Sequence, residues 1–189
     1  MTEETIYRNA PKHKDNQTIT VLGGSTENPI VGKIKKAKTV LDYKNKTEKK
    51  IHIIDGHPIL NIVRKGKAGT LTFFDKGRYA TNSDAFILFL KDNQEVLRDL
   101  NIMDNDDKVY YLKFLKLLLQ PVFYSQASTS DNSTISITNL INLEIPKIKL
   151  NKEIKDIVDS INKIENYRMK ISILREKIQQ EYEKSIIPD

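Results

Sequence analysis

The sequence predicts an α+β protein: a small mixed-sheet domain over residues 1–148, then a long C-terminal coiled-coil helix over residues 149–189. Three observations carry this. Short β-branched and aromatic runs, punctuated by glycine, fill residues 18–90. From Val109 the apolar residues switch to helical spacing. The stretch after Asn151 has no Gly, and no Pro until Pro188, while an apolar residue returns every three or four positions.

Residues 1–18 read as polar and irregular. "TITVLGG" (18–24) is a short strand closed by glycines, and "STENPIVGK" reads as a turn. In "KKIHIIDGHPILNIVRKG" two β-branched runs are split by Asp55-Gly56, a hairpin or loop signal, and a Gly66–Gly69 turn follows. "GTLTFFD" and "AFILFL" are further strands, with "KGRYATNSD" between them. Val109, Leu112, Leu115, Leu118 and Leu119 define a helix, with Asp106 or Asp107 as N-cap and Pro121 beyond its end. "FYSQASTSDNST" reads as a polar loop, and "ISITNLINLEIP" as a turn followed by a strand stopped by Pro146.

Asn151 can cap the last helix, which runs to about Ser185. Leu150, Ile154, Ile157, Ile161 and Ile164 alternate steps of four and three. The seam continues through Tyr167, Ile171, Leu174 and Ile178 after one three-residue slip. At about 1.5 Å per residue the helix is on the order of 50 Å long, too long to be covered by the small domain before it. Such a helix needs a partner helix.

Charge narrows the partner. The chain has 189 residues, 30% of them charged and 39% hydrophobic, with a formal net charge of +6. That balance favours an anionic partner. Residues 31–50 hold eight lysines against Asp42 and Glu48, whereas residues 82–111 hold three cations against seven acids. One region suits an anion and the other does not. There is no cysteine, no hydrophobic leader and no apolar run near eighteen residues, which together predict a cytoplasmic protein away from membranes.

Motifs for chemistry are missing. His13, His52 and His57 lack metal-ligand spacing. Gly32-Lys33 is followed by Ile and has no upstream glycine at P-loop spacing. Acid-x-Lys triplets at Asp42, Glu48, Asp106 and Glu153 arise by chance in so charged a chain. No Asn-Pro-Pro-aromatic or glycine-rich methyl-donor motif is present. The expectation is a non-catalytic protein without metal or cofactor.

The densest functional signal is "NIVRKGKAGTLTFFDKGRYATNSDAFILFL" (61–90), in which Arg64, Lys65, Lys67 and Arg78 surround a glycine turn. Glycines let backbone N–H groups approach an anion, and the flanking cations supply charge. The ordered series of this segment, "VYYLKFL", a polar loop, "ISITNLINLEIPKI" and a long helix resembles one target-recognition domain of a type I restriction–modification DNA specificity subunit. The family's elements fall on 62–69, 70–74, 80–84, 85–90, 109–119, 125–133 and 135–146, with the helix after Asn151, so the resemblance covers about residues 20–185. Two departures stand out. "IPKIKLNKEI" replaces the family's frequent Pro-Pro and Gln before the helix, and "GGSTENPIVGK" only approximates its opening turn.

The resemblance implies a half-subunit, with one recognition domain and one helix where a full subunit has two of each. It implies binding to double-stranded DNA on behalf of a separate methyltransferase subunit and, where the system cuts DNA, a restriction subunit. The expected DNA contacts are Lys35, Lys36, Arg64, Lys65, Gly66, Lys67, Gly69, Arg78, Tyr79, Thr81, Asn82, Ser128, Ser130 and Asn132. Glycine-turn groups would hold phosphates. Arg64, Arg78 and Asn82 have the groups that read guanine and adenine. Ile154, Ile157, Ile161, Ile164, Ile171, Leu174 and Ile178 would form an antiparallel homodimer helix. Three other readings stay open: a detached recognition module of a type II-like fused system, a non-catalytic coiled-coil adaptor, and a small nuclease. Salt-dependent specific DNA binding separates the first from the adaptor, and magnesium-dependent cleavage by the chain alone marks the nuclease.

Overall fold

A computed structural model describes residues 18–35, 39–42, 47–50, 52–127 and 133–186. The chain divides into two compact units, Met1–Lys149 and Leu150–Asp189. The first is α+β. Its strands are β1 (Thr18–Leu22), β2 (Ile30–Lys35), β3 (Thr39–Asp42), β4 (Thr47–Lys50), β5 (Ile54–Val63), β6 (Leu71–Thr81) and β7 (Ala85–Leu88). Its helices are α1 (Gln94–Asp99), α2 (Asn105–Gln126) and α3 (Ile137–Ile141).

Five strands form one mixed sheet in the order β2-β1-β6-β5-β7, and β3 and β4 pair separately. β1 runs parallel to β6, with Thr20 opposite Tyr79 and Leu22 opposite Thr81, while the other described pairings are antiparallel. From Pro58 to Val63 β5 is buried throughout, because it lies between β6 and β7 and α2 packs on β5 and β6. α2 supplies Leu112, Leu115, Leu119 and Phe123 to the core. Burying such side chains contributes roughly 1.5–3 kcal/mol each.

Several local expectations are corrected by long-range pairing. "STENPIVGK" is not all turn, since Ile30 and Val31 begin β2. Asp55-Gly56 does not split a hairpin. β5 runs through it with Gly56 at φ 75° and register shifts on either side of His57. This is a bulge, and Pro58 is tolerated because β7 pairs only with Leu60–Val63 beyond it. "KGRYAT" is not a connector but the second half of β6, held by Ile54 and Asp55 on one side and β1 on the other.

The helices also differ from expectation. Asp104, not Asp106 or Asp107, caps α2, its side chain accepting from Asp107 N at 2.8 Å, while Asp107 reaches back to accept from Met103 N at 2.9 Å. Pro121 lies inside α2, and "FYSQ" continues that helix. α3, capped by Ser136, replaces part of the expected turn, and residues 143–150 form no strand. α1, capped by Asn93, and the β3–β4 pair inside the lysine-rich segment carry no signal that the sequence reading used.

In the second unit, α4 (Lys152–Ile186) starts as expected, with Asn151 Oδ1 accepting from Ile154 N at 2.9 Å. Leu150, Ile154 and Val158 are buried and Ile161 is half-buried, whereas Ile157, Ile164, Ile171, Leu174 and Ile178 are exposed. No described helix is long and apolar enough to cross a membrane.

Candidate nucleic-acid interface

The glycine turn joins β5 to β6, and backbone bonds set its shape. Val63 N donates to Thr70 O at 2.9 Å, Gly69 N to Val63 O at 2.8 Å, and Thr70 Oγ1 to Lys67 O at 2.7 Å. Gly66 and Gly69 both have positive φ, 80° and 83°, which favours glycine. Their surroundings differ. Gly66 faces open space, whereas a Cβ on Gly69 would lie 2.6 Å from the Phe123 carbonyl oxygen of α2. Gly69 therefore serves packing, and its N–H is already used. The turn's exposed face is Lys65, Gly66 and Lys67.

The segment after the polar loop braces this turn. Ile135 N donates to Arg64 O at 3.0 Å, Lys65 pairs with Thr134, and Ser133 Oγ donates to the Gly66 carbonyl. The expected second set of contacts, Ser128, Ser130 and Asn132, lies outside the described residues, as does Lys36. Lys35 ends β2.

A second turn, 82–84, connects β6 to β7. Asn82 Oδ1 accepts from Asp84 N at 2.9 Å, an Asx turn. Arg64 ties the two turns together: its N–H donates to Asp84 O at 2.8 Å and its Nη1 to Ser83 O at 3.0 Å, and the guanidinium lies 5.5 Å from the Phe86 ring centroid. Lys65 Nζ lies 2.9 Å from Asp84 Oδ1.

A third segment comes from the loop after β1. Asn82 N donates to Leu22 O at 3.0 Å, and the buried Asn61 side chain donates to Gly23 O at 3.1 Å. A Cβ on Gly24 would lie 2.8 Å from Asp84 O, so only glycine permits that approach. Asn28 N donates to Ser25 Oγ at 3.0 Å, folding the loop back. The three segments enclose an open polar cleft of about 470 Å³, lined by Gly24, Ser25, Asn28, Ile30, Val31, Lys65, Asn82 and Asp84.

Of the expected contacts, the structure thus gathers Arg64, Lys65, Gly66, Lys67 and Asn82. Thr81 ends β6 half-buried, next to Asn82. Arg78 lies apart, its Nε 3.0 Å from Asp55 Oδ2 but without hydrogen-bond alignment. Tyr79 is a core residue and is corrected as a contact: it is buried, stacks at a tilt on Phe74, and donates its hydroxyl to Asp75 O at 2.6 Å. Burial first, and then the Asp75 charge, raise its phenol pKa. Ser25, Asn28 and Asp84 were missed. The "GGST" turn signal marked the loop of the first two, but nothing local placed it beside Lys65. Among the described residues no group of three or more His, Asp or Glu could hold a metal ion.

No family model and no curated protein sequence matches the chain. Its structure is similar to the crystal structure of the Type-I restriction-modification system S subunit from M. genitalium, with a TM-score of 0.50 and 17% identity. The match covers 93% of this chain and 38% of that one, so the chain spans well under half of the neighbour's length. At this identity the likeness speaks to the fold. A mixed five-stranded sheet followed by a long helix is the fold of a type I S subunit, over the part of it that this chain spans.

Proposed function

We propose that the chain is a sequence-specific DNA-recognition module of a type I restriction–modification specificity subunit. It directs a separate methyltransferase subunit to its site in the cytoplasm and, where the system cuts DNA, a restriction subunit as well. The observation that carries this reading is the cleft. Three segments distant in sequence bring a cationic, backbone-braced turn together with uncharged hydrogen-bonding side chains, on an S-subunit fold. Lys67 and the Gly66 backbone at the open tip suit phosphate oxygens. Ser25, Asn28 and Asn82 offer hydrogen bonds to base edges.

In this reading the chain performs no chemistry alone, and α4 pairs with a second copy. The test is enrichment of a random duplex library on the purified full chain, followed by a methylation assay. A shared motif should emerge, with affinity falling steeply as salt rises. Methyl transfer to that motif should require an added methyltransferase subunit. Absence of any enriched motif, or methyl transfer by the isolated chain, overturns the proposal.

A further inference from the structure

We infer that the Lys65–Asp84 pair reads one G·C base pair, with Asp84 accepting from cytosine N4 and Lys65 donating to guanine O6 and N7. This rests on the DNA-binding reading above. A carboxylate on a DNA-facing surface repels phosphates, so it weakens binding unless it accepts a hydrogen bond from a base. Asp84 lines the cleft with its side chain 41% exposed, beside a Lys65 side chain that is 53% exposed. Exposed ion pairs contribute little to folding, so stability does not account for it.

The position is rigid. Asp84 N is held by Asn82 Oδ1, Asp84 O by Arg64 N, and the backbone abuts Gly24. Lys65 is fixed by its bridge to Thr134. None of these bonds uses the Asp84 carboxylate, which faces the cleft with its lysine and also accepts a long hydrogen bond, 3.5 Å, from the adjacent Ser83 hydroxyl.

Spacing and polarity both match. Nζ and Oδ1 are 2.9 Å apart, one donor and one acceptor. In the major groove, guanine O6 and cytosine N4 are hydrogen-bonded to each other and so lie about 2.9 Å apart, acceptor and donor. An A·T pair also shows a donor and an acceptor, adenine N6 and thymine O4. The flanks decide between them. Beside guanine O6 lies N7, a second acceptor for the lysine. Beside adenine N6 lies N7, an acceptor facing the carboxylate, and beside thymine O4 lies the methyl group, facing the ammonium. G·C satisfies the pair, and A·T opposes it on both sides.

The experiment is the same random-duplex enrichment, run in parallel on the full-length parent, Asp84→Asn and Lys65→Met, with circular dichroism as a folding control. The parent motif should contain one position at which G·C is favoured over A·T by about tenfold or more. Asp84→Asn should move that position toward A·T, because an amide pairs with adenine N6 and N7, and leave the other positions unchanged. Lys65→Met should relax the same position. A motif unchanged by both substitutions, or an affinity loss from Lys65→Met spread evenly over all sequences, overturns the base-reading role while the DNA-binding reading stands. No motif for the parent overturns both. Should Asp84→Asn fail to fold, the Lys65→Met result alone decides.

Discussion

The Gln120 side chain grips the glycine turn on both sides of Thr70: its Nε2 donates to Gly69 O at 2.8 Å and its Oε1 accepts from Leu71 N at 2.9 Å. One amide from α2 thus fixes the end of the turn while the Phe123 backbone fills the space a Gly69 side chain would need. Gln120→Ala should lower stability by about 1–3 kcal/mol, because two partly buried backbone groups lose their partner. Gly69→Ala combines a positive φ with a backbone clash and should fall at the upper end of the usual range, about 3 kcal/mol. Gly66→Ala carries the positive φ without the clash and should cost less. Urea unfolding of the three variants orders them, and equal losses at Gly66 and Gly69 would contradict this account of the turn.

The four cations of this segment divide by their partners. Arg64 is bonded to Ser83 O, Lys65 is paired with Asp84, Arg78 lies against Asp55, and Lys67 is exposed at the tip. Lys67→Ala should therefore reduce the slope of log affinity against log salt by about one unit without touching base preference. Replacing Arg64, Lys65, Lys67 and Arg78 together by Ala should weaken DNA binding further. Unchanged affinity and slope in that variant, with its fold intact, would move the DNA surface elsewhere.

Local signals made part of this legible. Glycines, β-branched runs and the seven-residue seam of α4 are patterns that neighbours in sequence create, so the sheet-then-helix order and the glycine turn could be read directly. What could not be read depends on distant partners. "KGRYAT" is strand because Ile54 and Thr20 both sit opposite Tyr79. Gly66 and Gly69 look alike in sequence, and only the approach of Phe123 separates them. The Lys65–Asp84 pair spans nineteen residues. A run of cations therefore read as a phosphate site, although two of its members, Lys65 and Arg78, are opposed by acids.

A different ion pair makes stability depend on pH in acid. The Lys108 side chain is 7% exposed and its ammonium bonds Asp92, whose carboxylate is itself solvated, with His57 Nε2 3.7 Å away. The Lys108 hydrogen bond, opposed by desolvation and aided by the charges of Lys108 and His57, holds the Asp92 pKa below its ordinary value of 3.8. A carboxylate depressed in the folded state contributes stability that is complete above the unfolded value. That contribution is lost as pH falls through the folded one. Asp92→Asn should cost about 1–2 kcal/mol at neutral pH, less than breaking a fully buried pair because Asp92 is solvated. The gap between parent and variant should close below about pH 3.8. A gap that persists unchanged at pH 2 would show that the interaction is not ionic.

The last prediction is dimerisation through α4. Ile157, Ile164, Ile171, Leu174 and Ile178 are between 47% and 69% exposed, along one seam read from the sequence. Each exposed Ile forgoes roughly 1.5–3 kcal/mol of transfer free energy, which a second copy of the helix would recover. Under the proposed function, antiparallel pairing would separate the two DNA-binding domains, because each helix follows its own domain directly in sequence. Parallel pairing crowds both domains at one end, which suits a bipartite duplex site poorly. Antiparallel pairing also lets Arg168 and Arg175 reach Glu153, Asp156 or Glu165 of the partner helix, which places unlike charges beside the seam. Two identical domains related by a two-fold axis should read a palindromic site with an unread spacer. Sedimentation of the full chain should therefore give a dimer at micromolar concentration. Ile157→Asp combined with Ile164→Asp should give a folded monomer that still binds a half-site, more weakly. A parent protein that sediments as a monomer would remove the homodimer and leave the seam to a different partner.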